Sequence, residues 1–363
     1  RALDKYMGPD TFPGGLKRMP QIIKKGSNVL IVVLEGIGEH WLERDPSESI
    51  TPNLHRLAQD GMWFKKAYAA GDRTDKGLAA IFCGYPSQPV KGILLDPSKW
   101  DALHQQFLPA EFVKQGYNTN FYYGGDPDFA NMGTFLKFVG FQNIKTYPNS
   151  ADSKWGVNDK TMSKLVLNDI THLPQPFFAA WLMLSSHEPY DVVDNQDLPE
   201  DEKLKLSIRY SDAALGKLVE GLKLANLYDS TVIIVVSDHS KSVGLPVTED
   251  YEQEFFRIPL MITGGPIRDM YRGVAPHLIV SQTDIYATLT EQLLGNTAKT
   301  PFSRNMIYAN HPGMAISFTD NKAVLTASGY RHYLFMDAFD IKTSSDSLVL
   351  GLQSQLIRDF FRK

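Results

Sequence analysis

Cysteine and long hydrophobic runs are the scarcest features of this 363-residue sequence. Cys83 is the single cysteine, which excludes an internal disulfide framework and a zinc site built from cysteine ligands. The longest fully apolar stretch, residues 177–184, has eight residues, whereas a membrane-spanning helix needs about 20. The nine histidines are scattered along the chain. The sequence as it stands therefore predicts a soluble globular chain.

Positive charge is not in excess either. Lysine and arginine number 37 against 41 aspartates and glutamates, so the formal net charge is −4, and no block of basic residues occurs. Because nucleic-acid binders generally present a basic patch, we expect no nucleic-acid partner. The sequence also contains no G-x-G-x-x-G motif, no Walker loop and no G-x-S-x-G elbow. These absences argue against the corresponding dinucleotide, P-loop and serine-hydrolase sites.

Short apolar runs rich in β-branched residues alternate with helical patterns over most of the chain. Predicted strands are residues 28–34, 116–123, 177–184, 231–237 and 258–263. Predicted helices run from Thr51 and Pro52 to Gly61, and over residues 201–225 and 282–294. This alternation predicts an α/β fold with a mostly parallel central sheet flanked by helices.

The pattern changes after about residue 310. Three short strands are predicted at residues 313–318, 322–328 and 331–336, followed by a closing helix at residues 348–362. Turn residues separate the strands, as expected for a small antiparallel sheet. We therefore expect an α/β domain over residues 28–310 and a small C-terminal antiparallel α+β subdomain over residues 311–363.

The first 27 residues have a different composition. Residues 1–27 are rich in glycine, proline and lysine, and they predict an irregular lead-in. The sequence starts at Arg1 and shows no signal peptide. Two interpretations remain open: an ordinary flexible terminus, or the point at which a larger protein was cut.

Acidic and imidazole side chains follow the two most apolar strands directly. Glu35 comes after residues 28–34, and Asp238 and His239 come after residues 231–237. In parallel α/β sheets, ligands bind outside the carboxyl ends of the strands. Two carboxylates and one imidazole suit a divalent ion such as Mn²⁺, Mg²⁺ or Zn²⁺. Each residue alone could instead cap a helix or hold a turn.

A candidate nucleophile lies between these strands in the sequence. Thr74 is predicted to be the N-cap of a helix that continues through residues 78–83. A helix N-terminus favours an anion, and a metal-bound hydroxyl loses its proton more easily and can attack phosphorus. A phosphoryl or sulfuryl group would then lie between the metal and the helix. The plainer interpretation is a commonplace threonine cap.

Several segments together resemble a known superfamily. Residues 51–64, T-P-N-L-H-R-L-A-Q-D-G-M-W-F, are similar to the T-P-N-L-x-x-L-A-x-x-G-x-x-F signature of the sulfatase and alkaline phosphatase superfamily. With N-V-L-I-V-V-L-E, R-T-D-K-G, Y-G-G-D-P-D-F-A-N-M, S-S-H-E-P-Y and V-S-D-H-S, the chain resembles the lipoteichoic acid synthase and phosphoglycerol transferase branch. The matches follow in order from about residue 28 to residue 290.

The resemblance implies specific roles. The metal ligands would be Glu35, Thr74, Asp238 and His239, holding one divalent ion, expected to be Mn²⁺, with Mg²⁺ or Zn²⁺ as alternatives. Thr74 would attack the phosphodiester of a phosphoglycerol- or phosphoethanolamine-type lipid head group and form a phosphothreonine. A glycan, lipid or water acceptor would then take the phosphoryl group. His187 would contact the phosphate or assist proton transfer.

Two departures from the family patterns affect the choice of substrate. Sulfatases use a cysteine or serine in a C/S-x-P-x-R context, whereas threonine stands at the nucleophile position here and Cys83 is followed by G-Y-P. The synthases surround glycerol phosphate with a His, Asp, Trp and Arg set that this sequence lacks at the corresponding positions, which are Tyr123, Gly125, Ala130 and Met132. The predicted substrate-binding residues are Arg73, Lys76, Tyr123, Asp126, Asn131 and Lys241. Solvated surface charge or loop capping is the plainer account of most of these.

The resemblance also predicts the cellular context. Family members usually carry N-terminal transmembrane helices, with the catalytic domain outside the cytoplasmic membrane. We therefore expect a membrane-embedded full-length protein whose catalytic domain is periplasmic or at the cell surface, acting on a phospholipid head group and a glycan or lipid acceptor. The alternatives are a sulfatase-like hydrolase of sulfate or phosphate esters and an inactive module that binds phosphate or lipid.

Overall fold

The computed structural model describes most of the chain. The described residues are 21–43, 49–86, 93–98, 100, 107–148, 153–245, 252–296, 300, 302–307, 313–319, 322–327 and 330–335. The predicted helix at residues 348–362 and most of the predicted lead-in lie outside them. Among the helices that are described, none combines the length and the hydropathy needed to cross a bilayer.

A seven-stranded sheet forms the centre of the molecule, in the order β2-β8-β7-β1-β6-β4-β5. Its strands are β1 (Asn28–Leu34), β2 (Met62–Trp63), β4 (Asn118–Tyr123), β5 (Asn143–Thr146), β6 (Phe177–Leu182), β7 (Thr231–Ser237) and β8 (Leu260–Thr263). The five strands from β7 to β5 are parallel, and β8 is antiparallel to both β7 and β2. The predicted mostly parallel sheet is confirmed.

Two smaller sheets flank this centre. Strands β3 (Ala67–Tyr68) and β9 (Val280–Ser281) form a parallel pair. Strands β10 (Met314–Phe318), β11 (Lys322–Ala327) and β12 (Tyr330–Phe335) form an antiparallel sheet, which confirms the predicted C-terminal strands.

Helices cover both faces of the central sheet. They are α1 (Pro52–Gln59), α2 (Thr74–Cys83), α3 (Leu108–Lys114), α4 (Met132–Phe138), α5 (Asp159–Ile170), α6 (Glu200–Leu224) and α7 (Asp284–Leu289). A π-helical turn, Thr290–Leu294, continues α7. The predicted helices correspond to α1, α6 and α7. The prediction that Thr74 is an N-cap was wrong, because Arg73 holds that position with extended backbone and Thr74 is the first residue of α2.

Strand β1 divides the core into two layers because its side chains alternate between the sheet faces. Val29, Ile31 and Val33 pack on one side and Leu30 and Val32 on the other, all fully buried. Full burial of one such side chain stabilises the fold by about 1.5–3 kcal/mol. Both faces are covered, which explains the nearly continuous apolar sequence of the strand.

The core layer that contains Val29, Ile31 and Val33 also includes residues from near both ends of the described chain. Ile22 and Ile23, at the end of the predicted lead-in, are fully buried in it. Ile316 and Phe318 of β10 pack in the same layer. The C-terminal sheet therefore shares its apolar core with the central sheet.

Strand β10 also bonds directly to the chain segment that precedes α2. The Phe318 amide donates to the carbonyl oxygen of Ala70 at 2.9 Å, and the Ser317 hydroxyl donates to that of Ala69 at 2.6 Å. An isolated bridge pairs Gly71 with Phe318. The C-terminal sheet thus holds the approach to α2 in place.

Candidate active site

The parallel register of β1 and β7 brings three predicted ligands together. Leu34 pairs with Ser237, so Glu35 and Asp238 leave the sheet side by side, followed by His239. The ligand atoms of these three residues lie within 4.8 Å of one another. All three side chains are buried. They form a group that could hold a metal ion, and we call it the acidic–histidine group.

The predicted nucleophile, Thr74, contacts this group directly. The Thr74 hydroxyl donates to Oε2 of Glu35 at 3.3 Å. Thr74 occupies the first turn of α2, where the helix dipole and unpaired backbone amides favour an anionic group. The structure therefore brings together all four residues predicted as metal ligands.

A glycine allows α2 to approach the end of β7 this closely. A Cβ atom on Gly77 would lie 2.2 Å from the carbonyl oxygen of Asp238, a distance that real Cβ contacts do not show. The obstacle is backbone, which cannot rotate away as a side chain could. The spacing between Thr74 and the acidic–histidine group thus depends on the missing side chain at Gly77.

Asp238 is held through one of its two oxygens. Oδ1 accepts hydrogen bonds from the backbone amides of Gly36 at 2.9 Å and His239 at 2.7 Å. Oδ2 is buried and has no hydrogen-bond partner among the described residues. A buried carboxylate oxygen without a hydrogen bond is costly, and its ion-pair partner, Nε2 of His239, lies 3.7 Å away, so a bound cation would reduce that cost. This orphaned oxygen fits a metal ligand.

The hydrogen bonding of the His239 ring also fits a metal ligand. Its Nδ1 lies 2.9 Å from the carbonyl oxygen of Ser240, and because a carbonyl can only accept, Nδ1 carries the proton. Nε2 lies 3.5 Å from Oε1 of Glu35 and 3.7 Å from Oδ2 of Asp238. Metal-binding histidines characteristically donate their second ring nitrogen to such a partner.

The charges of this group are strongly coupled. Burial alone would raise the pKa of Glu35, but the hydrogen bond and charge of His239 outweigh it and hold that pKa well below its usual range. Burial and the charge of Glu35 raise the pKa of Asp238 to about 6. Burial opposes the charged form of His239, yet the two carboxylates raise its pKa to about 9. A divalent ion would supply the positive charge that the imidazolium otherwise provides.

A cavity of about 460 Å³ opens over Glu35 and Thr74. Its polar lining residues further from the acidic–histidine group are Asp126, Asp128, Lys154 and His187, and its aromatic ones are Tyr123, Phe129 and Trp155. Phe129 and Trp155 remain 53% and 36% exposed, so the mouth of the cavity is partly apolar. The cavity is large enough for a small head group beside Thr74.

His187 lines this cavity on the loop that follows β6. Its Nδ1 donates to the carbonyl oxygen of Glu188 at 2.8 Å, which leaves the lone pair on Nε2. The ring packs edge-on against Trp155 with centroids 5.0 Å apart, and the Trp155 indole nitrogen donates to the same Glu188 carbonyl. Trp155 thus helps to hold the His187 ring in its orientation. Sequence reasoning missed the contact between the two rings because 32 residues separate them.

The His187 loop is anchored by a second residue that the sequence patterns did not single out. Asp159, at the start of α5, accepts hydrogen bonds from the amides of Leu184 at 2.8 Å and Ser185 at 3.1 Å. Its Oδ2 also accepts from the Ser211 hydroxyl at 2.7 Å. Its position directly after Asn158, the N-cap of α5, is the signal that sequence reasoning could have used.

The predicted substrate-binding residues occupy different places. Tyr123 and Asp126 line the cavity, and Arg73 is exposed next to Thr74. The Asn131 side chain instead donates to the carbonyl oxygen of Leu94 at 3.1 Å. The Asn131 side chain, which was predicted to bind substrate, thus binds the backbone of Leu94.

The two lysines predicted to bind substrate have different partners. Lys76 is buried in α2, where its ammonium group lies 2.7 Å from Asp72 and 3.4 Å from the carbonyl oxygen of Phe318. Lys76 is therefore paired with Asp72 in the interior and is not among the residues that line the cavity. Lys241 donates to the carbonyl oxygen of Ser186 at 3.1 Å, and its charge contributes to the low pKa of Glu35.

A family model described as Sulfatase matches residues 27–295. The match covers more than half of the chain and includes the central sheet, α2 and the acidic–histidine group. Solved structures share the fold. The lipoteichoic acid synthase LtaP from Listeria monocytogenes has a TM-score of 0.75 at 19% identity, covering 99% of this chain and 98% of that one. An alkaline phosphatase superfamily protein from Vibrio parahaemolyticus has a TM-score of 0.74 at 24% identity, with 92% and 88% covered.

Curated relatives point to one branch of that family. Bacillus subtilis lipoteichoic acid synthase-like YvgJ is 23% identical over 357 residues, covering 88% of this chain and 56% of the relative. Phosphoglycerol transferase I from Xanthomonas campestris is 25% identical over 245 residues, covering 60% of this chain and 34% of the relative. The chain spans about half the length of the first relative and about a third of the second. These matches confirm the predicted enzyme superfamily: the chain belongs to the sulfatase family and resembles its lipoteichoic acid synthases and phosphoglycerol transferases.

Proposed function

We propose that this chain is a metal-dependent phosphotransferase or phosphodiesterase with Thr74 as its nucleophile. The observation that carries the proposal is the 3.3 Å contact between the Thr74 hydroxyl and Glu35. Thr74 lies at the N-terminus of α2, and Glu35 belongs to the acidic–histidine group. A hydroxyl beside a metal site and a helix N-terminus suits attack on an anionic phosphorus centre.

The ligands of the proposed metal are Glu35, Thr74, Asp238 and His239, and the ion is Mn²⁺, with Mg²⁺ or Zn²⁺ as alternatives. The oxygen-rich donor set and the orphaned Oδ2 of Asp238 support this assignment. When bound, such an ion lowers the pKa of the hydroxyl and offsets the charge that develops on the phosphoryl oxygens.

The substrate we propose is a phospholipid head group of the phosphoglycerol or phosphoethanolamine type. The Thr74 oxygen forms a bond to phosphorus while the bond between phosphorus and the diacylglycerol oxygen breaks. The proton lost from the threonine hydroxyl balances the one gained by diacylglycerol. In the second step, the hydroxyl of a glycan, lipid or water acceptor attacks the phosphothreonine, and the bond between phosphorus and the Thr74 oxygen breaks. Nε2 of His187 accepts the proton of the attacking hydroxyl, and the Thr74 oxygen recovers a proton to restore its hydroxyl.

The substrate contacts proposed beyond the phosphoryl group are Tyr123 and Asp126 on the cavity wall and the exposed Arg73 next to Thr74. The whole protein is proposed to be membrane-embedded, with this domain on the extracytoplasmic face of the cytoplasmic membrane. That proposal rests on the resemblance to lipoteichoic acid synthases, which extend well beyond the matched region.

The test compares wild type with Thr74→Ala and Thr74→Ser on an aryl phosphodiester, an aryl phosphate and an aryl sulfate, each with added Mn²⁺. We expect turnover of the phosphodiester, its loss by at least about 10³-fold in Thr74→Ala, and partial activity in Thr74→Ser, which keeps a hydroxyl. Turnover of the sulfate alone, unaffected by the alanine change, would refute the proposal.

A further inference from the structure

A buried glutamine links the two segments that carry the proposed chemistry. Gln282 lies between β9 and α7 and is fully buried. Its side-chain nitrogen donates to the carbonyl oxygens of Ser237 at 2.6 Å and Asp238 at 2.7 Å. Its side-chain oxygen accepts from the Ala70 amide at 2.8 Å. One amide group therefore joins the end of β7 to the segment that leads into Thr74.

The geometry of this link is restrictive. An amide is planar, so its oxygen and nitrogen hold a fixed distance and orientation relative to each other. The carbonyl of Asp238 accepts from Gln282 and also packs against Gly77 of α2. The direction of that carbonyl fixes the backbone from which the Asp238 side chain projects.

The other end of the link is equally constrained. Ala70 donates its amide to Gln282, while its carbonyl oxygen accepts from the Phe318 amide at 2.9 Å. Ala70 is thus held on both sides, four residues before the nucleophile. Replacing Gln282 therefore removes the hydrogen bonds to the end of β7 and the hydrogen bond to Ala70 at the same time.

We infer that Gln282 is a positioning residue that sets the spacing between Thr74 and the ligands Asp238 and His239. This inference rests on the proposed metal site and adds a residue that touches neither substrate nor metal. Residues that orient metal ligands typically account for about 10–100-fold in metal affinity or activity. We expect an effect of that size at Gln282.

The experiment uses Gln282→Met, which keeps the length and removes all three bonds, and Gln282→Glu, which keeps the acceptor for Ala70 but loses the donors. Gln292→Met is the matched control, because Gln292 is also buried and accepts from the amides of Ile22 and Ile23, remote from the nucleophile segment. The metal-free melting temperature reports the fold, titration calorimetry with Mn²⁺ alone reports affinity, and kcat and KM are measured on an aryl phosphodiester.

All three variants are expected to melt at lower temperature than wild type. The Gln282 variants alone should also lose about 10–100-fold in Mn²⁺ affinity and in kcat, with KM nearly unchanged. Mn²⁺ affinity and kcat equal to those of Gln292→Met would overturn the inference. Failure of both Gln282 variants to fold while Gln292→Met folds would assign Gln282 to the fold alone and overturn it too. A wild type that binds no Mn²⁺ would instead refute the proposed function, and the inference with it.

Discussion

Replacing Gly77 with alanine tests whether the spacing between α2 and β7 controls the chemistry. The added Cβ would lie 2.2 Å from the carbonyl oxygen of Asp238, whereas ordinary contacts begin at 3.4 Å, so the helix must recede by about 1 Å. A displacement of that size at a reacting group can cost about 100-fold in rate. Alanine favours a helix interior by about 1 kcal/mol over glycine, which offsets part of an overpacking cost of about 1–3 kcal/mol. We therefore expect a large loss of kcat with a small change in melting temperature.

The assay is turnover of an aryl phosphodiester with Mn²⁺, together with thermal melting. Gly221→Ala is the control, because the new methyl group in α6 would meet the side chain of Leu167, which can move, and would leave the active site alone. Activity of Gly77→Ala within about threefold of wild type would refute the reasoning, since a recession of about 1 Å predicts far more.

Three further predictions concern groups around the site. The pKa of His239 is raised from 6.5 to about 9 in the fold, so its contribution to metal-free stability is complete below about pH 6.5 and is lost as the pH rises through 9. Melting temperatures between pH 6 and 10 should show this decline, and His239→Gln should abolish it. Asp159→Asn places amide hydrogens against donors of the His187 loop and should cost about 1–3 kcal/mol in denaturant unfolding. Trp155→Phe removes the indole hydrogen bond to the Glu188 carbonyl, to which Nδ1 of His187 also donates, and should lower kcat on an aryl phosphodiester while KM changes less.

The sequence was sufficient to predict the acidic–histidine group because local signals coincide there. Apolar runs identify β1 and β7, parallel strands end at one edge, and the residues that follow are Glu35, Asp238 and His239. The fold class follows from the same alternation of strands and helices. The predicted helix start indicated Thr74 as a candidate nucleophile, and the resemblance to a known family added its role as a metal ligand and the role of His187.

The remaining features depend on contacts between distant parts of the chain. Gln282 is an ordinary residue in the sequence, and its role arises because residues 70 and 238 meet at its side chain. Lys76 appears as a charge beside the nucleophile, but burial and Asp72 turn it inward. Thr74 was predicted as an N-cap because threonine is common at that position. In the structure the helix begins at Thr74 itself, and the threonine hydroxyl donates to Glu35.

The hydrogen bonds between β10 and the segment before α2 have a consequence for biosynthesis. Ser317 and Ala69, which they join, are 248 positions apart in the chain. A ribosome adds Thr74 to the chain long before it has made the strand that bonds to the segment preceding it. The proposed active site can therefore reach its final geometry only after translation has passed residue 318. A product terminated before that point would contain every proposed metal ligand but would lack the strand that holds the segment before Thr74.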